Sequence, residues 1–199
     1  MAASAVRRGG APPSVEELTS CMRNAAPGTT PYKVLSFQGA FHGRLLGSLS
    51  TTHSKAIHKL DVPAFDWPIA PFPQLKYPLS EHTADNAAEE ARCLAAVAAI
   101  FDADKSKDIT TVVVEPIQSE GGDHAASPAF FRGLQALTKA HGGYLVVDEV
   151  QTGCGASGLF WAHEAWGLPT PPDAVTFSKK MQCVCTYGSA SPLRSFRAI

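Results

Sequence analysis

The sequence predicts an α/β fold, a mostly parallel sheet with covering helices. Three observations carry that prediction. First, strand-like and helix-like patterns alternate from about residue 109 to 177, the order that builds parallel sheets. Second, Ile109–Glu115, Tyr144–Asp148 and Ala174–Phe177 are continuous apolar runs, as expected of strands covered on both faces. Third, these runs end in a charged group or a small polar residue just before one, and open α/β sheets place ligand sites at the carboxyl ends of their strands.

In chain order, Lys33–Phe37 reads as a short strand. Gln38–Arg44 follows as a turn into a helix starting near Leu45. Between Val62 and Pro78 the chain carries Pro63, Pro68, Pro71, Pro73 and Pro78, which predicts an extended surface arm without regular structure. Asp85–Asp102 is the clearest helix. Ala91, Leu94, Ala95, Ala98 and Phe101 recur at helical spacing, while Asp85, Glu89 and Glu90 suit its N-terminal end. Ile109–Glu115 is β-branched and closed by Pro116, so it reads as a buried strand ending in an acid. Ser127 is a helix cap followed by Pro128 at the first helical position, and Gly142–Gly143 stops that helix. The strand to Asp148 comes next, then a glycine loop at 153, 155 and 158, a short helix over Phe160–Trp166, and the strand Ala174–Phe177.

The chain has 199 residues, is 45% hydrophobic and 18% charged, and has a net charge of −1, the composition of an ordinary globular domain. That charge leaves no electrostatic footprint for nucleic acid or a membrane surface. The longest apolar stretch, Leu94–Phe101, is far short of the roughly 20 residues a bilayer requires. Cys21, Cys93, Cys154, Cys183 and Cys185 form an odd, scattered set, which argues against a disulfide framework. Cys183 and Cys185 read as half a metal site that nothing completes, so no metal is expected. Arg7 and Arg8 precede the first acid, as in transit peptides, but Gly9, Gly10, Pro12 and Pro13 spoil an amphipathic helix. A transit segment and an arbitrary start both stay open.

The chemistry concentrates at two strand ends. Asp148–Glu149 closes one apolar run and Ser178–Lys179 the next, so an acid and an amine reach one crevice. That pairing suits pyridoxal phosphate, which needs a lysine to hold it covalently and an acid for its protonated ring nitrogen. Asp148–Glu149 also resembles the acidic strand end of a P-loop enzyme, but no G-x-x-x-x-G-K-[ST] string accompanies it. A dinucleotide-binding domain fails likewise for want of G-x-G-x-x-G. Lys180 is a rival amine beside Lys179. Glu115 and Glu120, bracketing Pro116–Ser119 before Gly121–Gly122, read as a site wall. Phe41–Arg44 offers an aromatic face and a guanidinium suited to a carboxylate.

Taken in order, several longer strings are far more specific. They are Ser36–Arg44, Thr51–Lys59, Phe65–Pro73, Val114–Gly122, Val147–Gly153 and Thr176–Met181. Through them, residues from roughly Glu16 to Met181 resemble the class III pyridoxal-phosphate-dependent aminotransferases of fold type I. Within that family they are similar to the branch acting on 4-aminobutyrate. The resemblance implies an incomplete large, cofactor-binding domain with Lys179 as covalent anchor and general acid–base. It further implies that Asp148 serves the ring nitrogen, Phe41 stacks on the ring with His42 beside it, and Gln151 contacts the phenolic oxygen. Arg44 would clamp the substrate carboxylate, and Glu120 would face a second arginine from further downstream. The implied reaction is transamination between 4-aminobutyrate and 2-oxoglutarate, giving succinate semialdehyde and glutamate. A homodimer and the mitochondrial matrix come with the family.

The expected organisation is an N-terminal segment at 1–31, a partial cofactor domain at 32–181 and a divergent tail at 182–199. The family's phosphate-binding turn, its cluster cysteines and its C-terminal domain are not matched, so the chain reads as truncated at both ends. An alternative expectation is a truncated or splice-variant product without catalysis, at most associating with full-length subunits.

Overall fold

The computed structural model describes residues 8–183 and 185–188. Its centre is a six-stranded sheet in the order β2-β1-β3-β6-β7-β8. The strands are β1 (Lys33–Phe37), β2 (Ile69–Ala70), β3 (Ile109–Val114), β6 (Tyr144–Asp148), β7 (Ala174–Phe177) and β8 (Cys185–Gly188). All neighbouring pairs are parallel except β7–β8, which is antiparallel. A separate two-stranded ribbon pairs β4 (Ile117–Gln118) with β5 (His124–Ala125). The mostly parallel sheet with covering helices is therefore present as predicted.

The helices are α1 (Val15–Cys21), α2 (Leu46–Leu49), α3 (Thr83–Ala103) and α4 (Pro128–Ala140). Ser127 caps α4 by accepting from the Phe130 amide, with Pro128 at the first position. Both oxygens of buried Glu90 on α3 reach Ser127, one accepting its amide and one its hydroxyl, each at 2.6 Å. The start of α4 is thus tied to the middle of α3. These two helices cover one sheet face. Cys93, Val97 and Phe101 from α3 and Phe130, Phe131 and Leu134 from α4 bury Leu35, Phe37, Val112, Val114, Leu145, Val147 and Val175. Phe131 stacks on Trp166 with ring centroids 3.7 Å apart, closing the core at its far end.

Because side chains alternate along a strand, the remaining residues face the other way. Val34, Thr111, Val113, Val146 and Thr176 line an open cavity there. The fold therefore presents one packed face and one hollow face, and the hollow face leads to Asp148.

The structure corrects the linear reading in several places. The proline-rich arm contains β2, and the carbonyls of Pro68, just before it, and of Ala70 within it accept the amides of Ser36 and Gln38. An edge strand two residues long needs no donor from the flanking prolines, which is why they are tolerated. The segment before Tyr32 contains α1, set by a capping box in which Ser14 and Glu17 exchange backbone and side-chain hydrogen bonds. The string Ser14-Val15-Glu16-Glu17 was the available signal. Phe160–Trp166 forms a 3₁₀ turn over Ala162–Trp166, shorter than the helix expected. Within 182–199, Cys185–Gly188 pairs with β7, while residues 184 and 189–199 lie outside the described residues, as do Arg7 and the chain start.

Candidate active site

Four parallel strands run the same way, so their carboxyl ends gather the predicted residues along one rim. β1 delivers Gln38–Arg44, β3 delivers Glu115, β6 delivers Asp148–Glu149 and β7 delivers Ser178–Lys179. β6 and β7 are neighbours in register, with Asp148 opposite Thr176. The acid and the amine thus leave adjacent strands in the same direction, Lys179 opening a 3₁₀ turn over Lys179–Met181.

Asp148 and Glu149 part company at the strand end. Asp148 faces the cavity. Its Oδ1 accepts the Thr176 hydroxyl at 2.9 Å and the Val150 amide at 3.1 Å, and its Oδ2 lies 2.8 Å from His42 Nδ1. Since a carboxylate offers only acceptors, His42 carries its hydrogen on Nδ1. Glu149 turns into the protein, 1% exposed. It accepts the Thr152 hydroxyl together with the amide and Nδ1 of His163, the latter two at 2.9 Å. Burial by itself raises the Glu149 carboxyl, but the bonds from His163 and Thr152 outweigh it and hold the group below its ordinary value. Glu149 is thus spent on interior contacts, while Asp148 faces the cavity.

The turn after β1 is held from three directions. The Phe41 amide donates to Glu115 Oε1 at 2.8 Å, and the His42 amide donates to Thr52 Oγ1 at 3.0 Å. Thr52 in turn donates to Gly43 O at 2.8 Å. Behind it, His53 Nε2 meets Ser36 Oγ at 3.0 Å while Lys59 Nζ reaches His53 Nδ1 at 3.3 Å. An ammonium only donates, so His53 accepts at Nδ1 and is neutral. Burial, then Lys59 and His42, lower it to about 4. Gly39 and Gly121 let the turn after β1 touch the loop after β4, since a Cβ at Gly121 would stand 2.1 Å from Gly39 O.

Burial also pushes Glu115 up, to about 7, against the lowering effect of His42 and the Phe41 amide; Asp148 and Glu120 push it further upward. Glu120 pairs with Lys55 at 3.1 Å, and that hydrogen bond holds its carboxyl below the usual range, with a smaller contribution from Lys179.

The cavity measures about 430 Å³ and is lined by His42, Asp148, Val150, Thr176, Phe177 and Trp67 at its site end. His42, Asp148 and Thr176 are therefore brought together directly. Glu120 and Lys179 share one electrostatic neighbourhood beside it. Lys179, Gln151, Arg44 and Glu120 do not line the cavity itself, and Arg44 is exposed. Phe41 sets its ring edge-on to His58, centroids 5.0 Å apart. Sequence reasoning missed Thr176 and Lys55. The former carried a signal as the polar residue within an otherwise apolar run; the latter had no local signal.

Pyridoxal phosphate can be tested against these donors and acceptors. A carboxylate has about four lone-pair positions, and three neighbours occupy Asp148. One position on Oδ2 is left for a ring N–H. His42 Nε2 is buried without a hydrogen-bond partner among the described residues, at the same wall. The acceptor capacity and the orphaned nitrogen fit a flat heteroaromatic ring with a protonated nitrogen.

The mostly parallel sheet thus carries an acid and a lysine at adjacent strand ends, an arrangement suited to pyridoxal phosphate. Residues 14–188 match the family Aminotransferase class-III, and the chain belongs to that family. It is 55% identical to the 4-aminobutyrate aminotransferase of Dictyostelium discoideum over 194 residues, covering 96% of this chain and 39% of that one. It is 59% identical to the mitochondrial 4-aminobutyrate aminotransferase of Homo sapiens over 170 residues, covering 84% and 34%. Among solved structures it resembles a lysine aminotransferase from M. tuberculosis, with TM-score 0.76 and 34% identity, covering 90% of this chain and 40% of that one. The chain thus spans well under half the length of the relatives it matches.

Proposed function

We propose that this chain forms the cofactor-anchoring part of a pyridoxal-phosphate-dependent transaminase that moves the amino group of 4-aminobutyrate to 2-oxoglutarate, giving succinate semialdehyde and glutamate. The observation that carries this reading is the in-register pairing of β6 with β7, which sends Asp148 and Lys179 out of neighbouring strands. Identities of 55–59% to 4-aminobutyrate aminotransferases support the choice of substrate. In this reading residues 32–181 supply the cofactor domain.

When bound, the cofactor supplies an electron sink for the carbon that loses its proton. The chain's own residues do the rest. Lys179 would hold the cofactor and would serve as the general acid–base that takes and returns the substrate's proton. Asp148 accepts the ring N–H with its remaining position, oriented by Thr176 and His42. Phe41 and Gln151 would help to hold the cofactor, Phe41 as an aromatic surface for its ring and Gln151 as a polar partner for its phenolic oxygen. Arg44 takes the substrate carboxylate as a planar two-toothed donor. Glu120, paired here with Lys55, lies on the substrate side of the site.

Assembly as a homodimer fits the apolar surface around the site: Leu45 and Ile57 are each 83% exposed and Leu60 71%. Mitochondrial residence, in the matrix, fits the mitochondrial relatives.

The test mixes the purified chain with pyridoxal phosphate. A stoichiometric visible absorbance band, abolished in Lys179→Ala, together with glutamate formed from 4-aminobutyrate and 2-oxoglutarate, is the expected result. No band, or a band indifferent to Lys179→Ala, overturns the reading.

A further inference from the structure

Glu115 has no part in the chemistry above, yet it is 5% exposed and stands at the carboxyl end of β3, between the turn after β1 and the end of β6. Its Oε1 accepts the amide of Phe41, a residue 74 positions away, across the β1–β3 pairing. That amide belongs to the residue assigned to cover the cofactor ring, and the next residue is His42, bonded to Asp148. We propose that Glu115 is a positioning residue whose carboxylate grips the Phe41 backbone and thereby sets the placement of the Phe41 ring and of His42, with its protonation state as the strength of the grip. This rests on the transaminase reading for its consequence, though not for the contact itself.

The physical argument is one of bond strength. A carboxylate accepts an N–H more strongly than a neutral acid does. Three titratable groups face Glu115: His42 from the β1 turn, Asp148 from β6 and Glu120 from the loop after β4. Two are acids, and the third is already engaged with one of them. Burial joins the two acids in lifting Glu115 to about 7, so near neutrality both forms are populated and the grip is adjustable. Above that point the turn is held firmly; below it the Phe41 amide keeps only a neutral acceptor.

The decisive experiment needs no cofactor. The full chain is labelled with ¹⁵N-phenylalanine, giving up to ten amide signals, and the Phe41 signal is identified by its loss in Phe41→Leu. We expect that signal to shift between pH 5 and 9 with one midpoint near 7. In Glu115→Gln, which keeps an acceptor oxygen, it stays constant, and in Glu115→Asp the amplitude falls because the shortened carboxyl withdraws from the amide. A Phe41 signal that ignores pH, or titrates equally in Glu115→Gln, overturns the proposal. In parallel, pyridoxal phosphate affinity of the parent should tighten roughly fivefold more from pH 6 to 8 than that of Glu115→Gln, the ratio expected between charged and neutral hydrogen bonds. Equal pH profiles contradict the coupling to the cofactor. Absence of binding at every pH contradicts the transaminase reading, and the amide titration still decides the role of Glu115.

Discussion

At the scale of single residues, buried Glu115 and half-buried His53 should pull stability in opposite directions. Glu115 has a folded value of about 7 against an ordinary 4.5, so the folded chain holds its proton more tightly. Stability from this group therefore falls as pH rises from about 4.5 to 7 and stays low above, by about 3 kcal/mol. Glu115→Gln should unfold at higher denaturant than the parent at pH 8, with the two curves meeting at pH 4; urea titrations at both pH values check this. His53 behaves the other way. Its folded value of about 4 lies below 6.5, so its contribution is lost as pH falls from about 6.5 to 4. The windows overlap and partly cancel in the parent, which is why the variants are needed to separate them. Glu149 makes a third case. His163→Ala leaves its carboxylate buried with one partner gone, which should cost about 3 kcal/mol or more, read as a lowered urea midpoint. These roles were only half legible in the sequence. Two adjacent acids at 148 and 149 advertised a site, but strand parity sends one to the cavity and one to His163. The far partners, His42 and His163, come from distant segments that local spacing cannot bring together.

At the scale of elements, legibility followed the local chemistry. The cap at Ser127 with Pro128, and the apolar runs of β3, β6 and β7, are local signals, and the structure has those elements in place. What local chemistry does not show is that Ser127 also donates its amide and its hydroxyl to the two oxygens of Glu90 on α3. Ser127→Ala should therefore cost more than an isolated cap, about 2 kcal/mol rather than 1, and Glu90→Gln combined with it should be less than additive. A double-mutant cycle by urea unfolding measures this. The edge strand β2 was hidden by its prolines. It forms because its carbonyls do the accepting and its two residues need little from their own amides. Helix α1 is written locally in the capping box of Ser14–Glu17, but the glycines and prolines just upstream mask it by breaking any longer helical pattern.

At the scale of the whole molecule, the chain divides its sheet into a packed face and a hollow one. Phe131, stacked on Trp166, anchors the packed face. Phe131→Ala should cost about 3–5 kcal/mol and lower the melting temperature without moving Asp148 or Lys179. The hollow face and the exposed Leu45, Ile57 and Leu60 are where the dimer of the proposed function would form. Light scattering should report a dimer for the parent and a monomer for Ile57→Glu combined with Leu60→Glu. In the proposed function, β6 and β7 set an acid and a lysine at one cofactor ring. The most direct measurement is borohydride reduction of the chain with stoichiometric pyridoxal phosphate, followed by peptide mass mapping. The phosphopyridoxyl group should be found on Lys179, with sharply less of it in Asp148→Ala. Label on Lys180, or spread evenly over the surface lysines and unaffected by Asp148→Ala, would contradict it.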